Sequence, residues 1–407
     1  MNDFLKPRMV GQSLSERLSV MPAVVVTGAR QTGKSTLVRD LLPGERRFFT
    51  LDDLDIVDLA RRDPDSLVGG RHPVTLDEVQ REPGILLAVK RAIDEQRQAG
   101  RFLLTGSANL LLMKRVSESL AGRASYLTLW PMTRRELLGL GRCGIWDELL
   151  AASDDDWPEI IGRQPVEPED WGRLAQTGGF PTPALQLEND EQREVWFEGY
   201  VRTYLERDLQ SLSAISGLPD FRRLMKAACL RLGQVVNQTE LGRDVALPQP
   251  TVHRYLNLLE TSHILTRLAA YSVNRTKRLI KSPKLYWSDT GLAMHLAGAD
   301  RPTGAHLENL VHHDLAAWRD GRVGRVEILY WRTTTGDEVD FVIETPNELL
   351  PIEVKSTNRP GVRDARHLRT FKSEYGRTAR SGLLLHTGEA VEWLPGGVLA
   401  APWWKVL

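Results

Sequence analysis

Two glycines, a lysine and hydroxyl side chains lie close together near the start of the chain. The segment from Gly28 to Thr36 contains the spacing G-x-x-x-x-G-K-S. The glycines let the backbone turn sharply, so that successive N–H groups point at one anion. The lysine adds positive charge, the serine hydroxyl is a ligand for Mg²⁺, and a helix that begins here directs its positive end at the same anion. The spacing predicts a phosphate-binding loop of Gly28, Ala29, Arg30, Gln31, Thr32, Gly33, Lys34, Ser35 and Thr36.

Two carboxylates follow a second apolar segment. Asp77 and Glu78 come directly after Val74–Leu76, which predicts a strand that ends in two acids. Beside a phosphate-binding loop, such a pair is typical of nucleoside triphosphate hydrolysis. Asp77 and Ser35 are then the predicted Mg²⁺ ligands, while Lys34 contacts the β- and γ-phosphates. Glu78 polarises the attacking water. We therefore expect an ATPase whose cofactors are ATP and Mg²⁺.

Short apolar segments alternate with segments of helical spacing through the first third of the chain. The predicted strands are Ala23–Val26, Arg47–Leu51, Pro73–Leu76, Arg101–Thr105 and Ser125–Trp130. This alternation predicts an α/β fold with a parallel sheet covered on both faces.

Two further polar residues have positions that suit this chemistry. Ser107 closely follows the strand that ends at Thr105, where its hydroxyl is expected to contact the γ-phosphate. Arg123 follows a segment of helical spacing, and we predict that it reaches the nucleotide of a neighbouring subunit as a catalytic arginine. This interpretation requires a homo-oligomer. The alternative is that Arg123 only stabilises the carboxyl end of its own helix.

Four charged residues near the other end of the chain form a second pattern. Glu308 lies in a predicted helix, Asp340 in a predicted strand, and Glu353 and Lys355 on one side of the next strand. Carboxylates hold Mg²⁺, and a lysine beside the metal activates water. The pattern predicts a metal site of Glu308, Asp340 and Glu353, with Lys355 as a catalytic residue for DNA cleavage. The alternative is an inactive fold that binds DNA or protein.

The middle of the chain is strongly basic. Between Phe221 and Trp287 there are twelve lysines and arginines against three acids, a net charge of +9. Val252, Tyr255, Leu256 and Leu259 have the spacing of one buried helix face. A shorter helix precedes this one, and two strands joined by a basic loop are expected after it. The order predicts a winged helix-turn-helix that binds DNA; the alternative is a lid or a protein-docking surface.

The amino-acid sequences of several motifs extend these predictions. Thr27–Ser35, Leu76–Gln80, Leu104–Ser107 and Leu120–Arg123 resemble the AAA+ class of P-loop ATPases, and one prokaryotic family in particular. In that family an AAA-type ATPase is joined to a C-terminal domain of unknown function with a restriction-endonuclease-like, PD-(D/E)xK fold. The resemblance continues at Gly178–Pro181, Tyr204–Asp208 and Ser288–Leu292, so it covers nearly the whole chain. Val339 stands where the nuclease motif has its proline.

Length and composition limit the remaining choices. The 407 residues carry 53 basic and 53 acidic side chains and two cysteines, which is typical of an ordinary cytoplasmic protein and excludes a disulfide framework. No apolar run predicts a membrane span. We expect an ATPase core at 1–135, a helical region at 136–220 with an acidic loop at 153–170, a winged helix at 221–290 and a nuclease-like domain at 291–407. A nucleotide-dependent switch that binds DNA or a partner without cutting is the alternative function.

Overall fold

Two sheets, a hairpin and a helical region make up the structure. The computed structural model describes residues 5–42, 44–106, 120–208 and 217–407, with the backbone alone at 205–208. In these ranges no helix is long and apolar enough to cross a membrane.

The first sheet is parallel throughout, as predicted. Its strands, in the order β2-β3-β4-β1-β5, are β1 (Ala23–Thr27), β2 (Arg47–Thr50), β3 (Val74–Asp77), β4 (Phe102–Thr105) and β5 (Ala124–Thr128). The strands are apolar because helices cover both faces. Those helices are Val10–Val20, Lys34–Thr36, Leu37–Leu41, Leu54–Arg62, Pro64–Val68, Val79–Arg81 and Ile85–Glu95.

Helices follow this sheet, and two strands then form a hairpin. The helices are Arg134–Leu137, Trp146–Ala151, Asp154–Asp156, Trp157–Gly162, Trp171–Thr177, Pro181–Leu185, Asp190–Tyr200, Val201–Asp208, Leu218–Cys229, Gln238–Asp244 and Gln249–Thr261. Strands β6 (Leu265–Leu268) and β7 (Lys284–Trp287) pair antiparallel, and helix Thr290–Ala297 follows.

The second sheet is mixed. Its order is β12-β13-β11-β10-β9-β8, with strands β8 (Glu327–Arg332), β9 (Glu338–Glu344), β10 (Leu349–Lys355), β11 (Gly382–His386), β12 (Glu392–Leu394) and β13 (Val398–Pro402). The helices Gly304–Gly321, Arg366–Tyr375, Gly376–Thr378 and Trp403–Val406 accompany it. A shared apolar core joins this sheet to the helical region, because Trp146 and Trp157 pack with Trp318 and Trp403.

The acidic segment 153–170 is the predicted loop only in part, because helices occupy 154–162 while 164–170 contains no helix or strand. The segment includes the amphipathic helix Trp157–Gly162. Trp157, Ile160 and Ile161 of this helix face the core, and Trp157 is 0 % exposed. Asp154 accepts a hydrogen bond from Arg380 Nε at 2.7 Å, which attaches the segment to the C-terminal sheet. The composition was misleading because a few apolar residues at helical spacing decide burial.

The predicted domain boundaries lie where helices are continuous. Those after 135, 220 and 290 fall at or inside the helices Arg134–Leu137, Leu218–Cys229 and Thr290–Ala297. Leu292 and Ala293 share a core with Phe221 and Tyr255, so the last of these helices belongs with the residues before it. A helix is cooperative, and a boundary therefore falls beside it rather than within it.

The segment between β6 and β7 differs from the predicted basic loop because it contains a helix, Arg275–Ile280. The side chain of Asn274 accepts a hydrogen bond from Thr276 N at 3.0 Å and caps this helix. The order of two helices and two strands agrees with the predicted order; the helical tip was not foreseen.

The burial of Trp157 gives a first prediction. Trp157→Ala should lower the free energy of unfolding by about 3–5 kcal/mol, because it leaves a cavity in the shared core. Trp393→Ala is the matched control, since Trp393 is 41 % exposed on β12 and its loss should cost below about 1 kcal/mol. Urea denaturation followed by circular dichroism measures both. Equal effects of the two variants would contradict the burial of the acidic segment.

Candidate functional site

The loop after β1 has the backbone that a phosphate site requires. Gly28 and Gly33 have φ of +141° and +91°, values that favour glycine. A Cβ atom on Gly28 would lie 2.2 Å from the carbonyl oxygen of Leu129, so a side chain cannot be accommodated there. The helix that begins at Lys34 directs its amino end into the loop.

Lys34 lies inside this loop. Its ammonium donates hydrogen bonds to the carbonyl oxygens of Ala29 at 2.7 Å and Gly28 at 3.3 Å. Burial lowers the pKa of Lys34 to about 8, although the charges of Glu78 and Asp77 oppose that shift. The predicted lysine and both predicted acids therefore lie in one electrostatic environment.

Asp77 is the centre of a hydroxyl network. Ser35 Oγ donates to Asp77 Oδ1 at 3.1 Å, and Thr50 Oγ1 donates to Asp77 Oδ2 at 3.4 Å. Thr105 Oγ1 also donates to Asp77 Oδ1. The two predicted Mg²⁺ ligands, Ser35 and Asp77, are therefore adjacent, and their oxygen donors suit that ion.

Thr105 also fixes Glu78. Glu78 has a left-handed backbone, with φ +57°, which is uncommon for a residue with a side chain. Its N–H donates to Thr105 Oγ1 at 3.1 Å, and Gln80 donates to its carboxylate. Thr105 was missed as a site residue, although its place at the end of a strand beside Asp77 was a usable signal.

The two remaining predictions for this site have different outcomes. Ser107 lies outside the described residues. Arg123 lies at the amino end of β5, since Ala23 N donates to its carbonyl oxygen at 3.1 Å, whereas the phosphate loop follows the carboxyl end of β1. Its guanidinium contacts Asp94 Oδ1 at 2.6 Å. The structure therefore does not bring Arg123 to the nucleotide site of its own chain.

A residue outside every motif supports the phosphate loop. Arg8 donates to Thr32 O at 2.8 Å and to Trp130 O at 2.7 Å, and it forms a buried ion pair with Glu136 at 3.1 Å. A cavity of about 400 Å³ opens beside Gly33. Its other lining residues are Leu5, Lys6, Arg8, Thr36, Arg39, Asp40, Leu41, Met132, Pro181, Leu185 and Gln186. This volume is in the range of small-ligand sites and is adjacent to the loop.

The C-terminal charges converge on a lysine that the motif does not include. Lys284 Nζ lies 3.0 Å from Glu308 Oε1, 3.0 Å from Asp340 Oδ1 and 2.7 Å from Glu338 Oε1. Lys284 begins β7 and is 1 % exposed. Tyr286 O–H also donates to Glu308 Oε1, and Val354 N donates to Asp340 Oδ2 at 3.0 Å.

Glu353 completes the same acidic cluster. Its Oε1 accepts a hydrogen bond from Lys355 Nζ at 2.6 Å, and its buried Oε2 has no hydrogen-bond partner among the residues that the structure describes. Burial and the neighbouring Asp340 raise the pKa of Glu353 well above its usual range and that of Glu308 to about 7. Lowered dielectric and mutual repulsion both disfavour the ionised acids.

The predicted metal site is therefore corrected. An ammonium lies between Glu308 and Asp340, where a shared metal ion would need their oxygens, and Lys355 is bound to Glu353. Within the described part of the chain, no group of three or more histidine, cysteine, aspartate or glutamate residues is arranged to hold a metal. Glu308, Asp340 and Glu353 do come together, but the donor set as folded fits a lysine and not Mg²⁺.

The basic middle region is also partly neutralised. Arg278 is 6 % exposed and contacts Glu327 at 3.0 Å as well as Glu344. Together with Lys284, it attaches the hairpin to the C-terminal sheet. Exposed cations remain at the hairpin tip beside exposed apolar side chains; these residues are Val273, Arg275, Lys277, Leu279, Ile280 and Lys281.

Comparisons with known proteins match three consecutive parts of the chain. Residues 21–138 match the AAA domain, and residues 168–303 and 303–406 match two domains of unknown function, DUF8612 and DUF4143. An uncharacterized protein of Haemophilus influenzae is 21 % identical over 289 residues, which span 69 % of this chain and 65 % of that protein. The Walker-type ATPase of Pyrococcus abyssi matches with a TM-score of 0.41 and 15 % identity, covering 72 % of this chain and 99 % of that one.

Two mycobacterial relatives are more similar. Uncharacterized proteins of Mycobacterium tuberculosis and Mycobacterium bovis are each 30 % identical over 368 residues, which span 88 % of this chain and 76 % of theirs. The AAA match covers β1 to β5 and the phosphate-binding loop. The chain therefore belongs to the family of these mycobacterial proteins and contains a P-loop ATPase domain of the AAA type.

Proposed function

We propose that this protein hydrolyses ATP with Mg²⁺ at the loop Gly28–Thr36 and couples this reaction to the binding of duplex DNA. The observation that carries the ATPase part is the hydroxyl network, in which Ser35 and Thr105 both donate to Asp77. It joins the loop after β1 to the ends of β3 and β4. The AAA domain match supports the same reaction.

Each residue of the network has a distinct task. Lys34 exchanges its bonds to the carbonyls of Gly28 and Ala29 for bonds to the β- and γ-phosphates. Ser35 and Asp77 would hold Mg²⁺, which would supply positive charge against the phosphate oxygens. Glu78 accepts a proton from the attacking water while Thr105 fixes its backbone.

The phosphate loop also contacts the region that carries the hairpin, which supports coupling. Ala29 packs in one apolar core with Phe180 and Tyr200. Tyr200 O–H donates to Arg30 O at 3.3 Å, and the Arg30 guanidinium lies 5.4 Å from the centre of the Tyr204 ring. A change in this loop on nucleotide binding is therefore transmitted to the middle helices.

The hairpin tip supports DNA as the ligand. Leu279 and Ile280 are 85 % and 81 % exposed, beside the exposed cations Arg275, Lys277 and Lys281. No acid occurs between Ala270 and Pro283. Positive charge binds phosphates, and exposed apolar side chains of this kind insert between bases in the minor groove. A protein-docking surface, and with it a regulatory switch, is the second candidate, because exposed apolar residues also mark protein interfaces.

We also propose that the protein acts as a homo-oligomer. Arg123 lies at the sheet edge opposite to its own phosphate loop, so it can reach the nucleotide only of a second copy. To do so it must exchange its contact with Asp94 for the phosphate.

The ATPase proposal is tested at Glu78. Glu78→Gln should retain ATP binding and lower hydrolysis about 10²–10⁴-fold, because the amide cannot accept the proton of the attacking water. Lys34→Ala should instead weaken ATP binding. Isothermal titration calorimetry and phosphate release separate these effects. Glu82→Gln, at a partly buried acid bound to Arg61, is the matched control and should hydrolyse normally. Native hydrolysis by Glu78→Gln would refute its role.

The DNA proposal is tested at the hairpin tip. Replacing Arg275, Lys277 and Lys281 by alanine should weaken duplex binding and reduce its salt dependence by about 0.9 in log–log slope for each phosphate that is no longer neutralised. Fluorescence anisotropy at several salt concentrations measures this. The control replaces the exposed Arg359, Arg363 and Arg377, which removes the same charge elsewhere. An unchanged slope in the tip variant would favour protein docking.

The oligomer proposal is tested by mixing inactive variants. Arg123→Ala and Lys34→Ala proteins should each hydrolyse ATP poorly, whereas their mixture should recover activity, because an intact phosphate loop can then meet an intact Arg123. Arg97→Ala, which changes an exposed arginine that donates to Gly122 O, is the control and should remain active alone. Hydrolysis by protein that is strictly monomeric in light scattering would contradict the proposal.

A further inference from the structure

Lys284 is enclosed by carboxylates from two elements of the C-terminal region. Glu308 comes from the helix Gly304–Gly321, and Glu338 and Asp340 come from β9. All three oxygens lie within 3.0 Å of the ammonium, whose side chain is 1 % exposed. Lys284 itself is on β7, so the cation and its acids come from different parts of the fold.

The surrounding acids exceed the lysines. Glu308, Glu338, Asp340 and Glu353 contact Lys284 and Lys355, and Glu338 also lies 3.6 Å from Arg332, so four acids face three cations. Within the described ranges, the nine-tenths-buried Glu353 also has one oxygen, Oε2, without a hydrogen-bond partner. Burying a carboxylate oxygen without a hydrogen bond lowers the stability of the fold. The cluster therefore has negative charge and an oxygen atom available to bind a cation. Its central position, however, is already occupied by the ammonium of Lys284.

We propose that Lys284 is a resident cation that keeps divalent metal ions out of the acidic cluster of the C-terminal domain. A divalent ion that shared the oxygens of Glu308 and Asp340 would have to overlap the ammonium or lie against its positive charge. An ammonium neutralises carboxylates and can donate hydrogen bonds to water, but it has no vacant position at which to coordinate water and acidify it as a metal ion does. With Lys284 in place, the domain binds no metal and does not cleave DNA by a metal-dependent route.

The hairpin keeps the lysine in position. Arg278, on the same hairpin, contacts Glu327 and Glu344 at the edge of the C-terminal sheet. The backbone of Lys284 also forms an isolated antiparallel β-bridge with Val235 of the middle region. The exclusion of metal thus depends on how the middle and C-terminal regions are joined, and not on the four motif residues alone.

The test measures Mn²⁺ bound to the full-length protein without nucleotide, by electron paramagnetic resonance. Lys284→Met retains most of the side-chain volume and removes the charge, so this variant should bind one more Mn²⁺ than the native protein and melt at a higher temperature when Mn²⁺ is added. Adding Asp340→Asn to Lys284→Met should abolish both gains. Lys226→Met, at an exposed lysine of the helix Leu218–Cys229, is the control and should bind Mn²⁺ as the native protein does.

Two results would overturn the proposal. One is native protein that binds a Mn²⁺ ion which Asp340→Asn does not bind, because Lys284 then excludes nothing. The other is a folded Lys284→Met that gains no Mn²⁺. If Lys284→Met does not fold, Lys284→Gln replaces it; if neither folds, the comparison of native protein with Asp340→Asn still decides. The outcome is independent of the ATPase, because no nucleotide is present.

Discussion

Parallel pairing of β4 with both β3 and β1 is the constraint on which the nucleotide site depends. The carboxyl ends of these strands meet at one edge of the sheet, so Asp77, Thr105 and the loop after β1 become neighbours although they are far apart in sequence. Thr105 lies on the middle strand and therefore reaches both acids. It donates to Asp77 and accepts from the N–H of Glu78. Register, rather than local sequence, assembles the site.

Buried charges determine how the other parts of the chain are placed around this sheet. Arg8 contacts Thr32 and Glu136, Arg278 contacts Glu344, and Lys284 contacts Asp340. Each pair joins segments distant in sequence. Burying an ion pair gains little free energy, but leaving one member unpaired costs several kcal/mol, on the order of 3–5. Such contacts therefore select one arrangement of the segments over others.

The difference between local motifs and contacts between distant segments explains what could be predicted from the sequence. The phosphate loop was predictable because its chemistry is local, and Asp77 and Glu78 because they end an apolar strand. Arg8 and Lys284 carry no local signal, since their partners are set by the tertiary fold. The burial of Trp157 was missed because seven acids dominate residues 153–170 in composition. The predicted boundaries after 135, 220 and 290 lie inside helices for a related reason, because a change in composition does not mark where a helix ends.

The C-terminal cluster shows why the arrangement of acids does not determine activity. The spacing of Glu308, Asp340, Glu353 and Lys355 was sufficient to predict that they meet, and they do. It could not indicate which cation compensates them, because Lys284 lies before the motif on a strand of another region. Charge compensation is satisfied by an ammonium or by a metal ion, whereas activation of water by a metal requires a vacant coordination position on that metal. A set of acids can therefore join two regions through a lysine, and its presence alone does not establish the reaction that such acids support elsewhere.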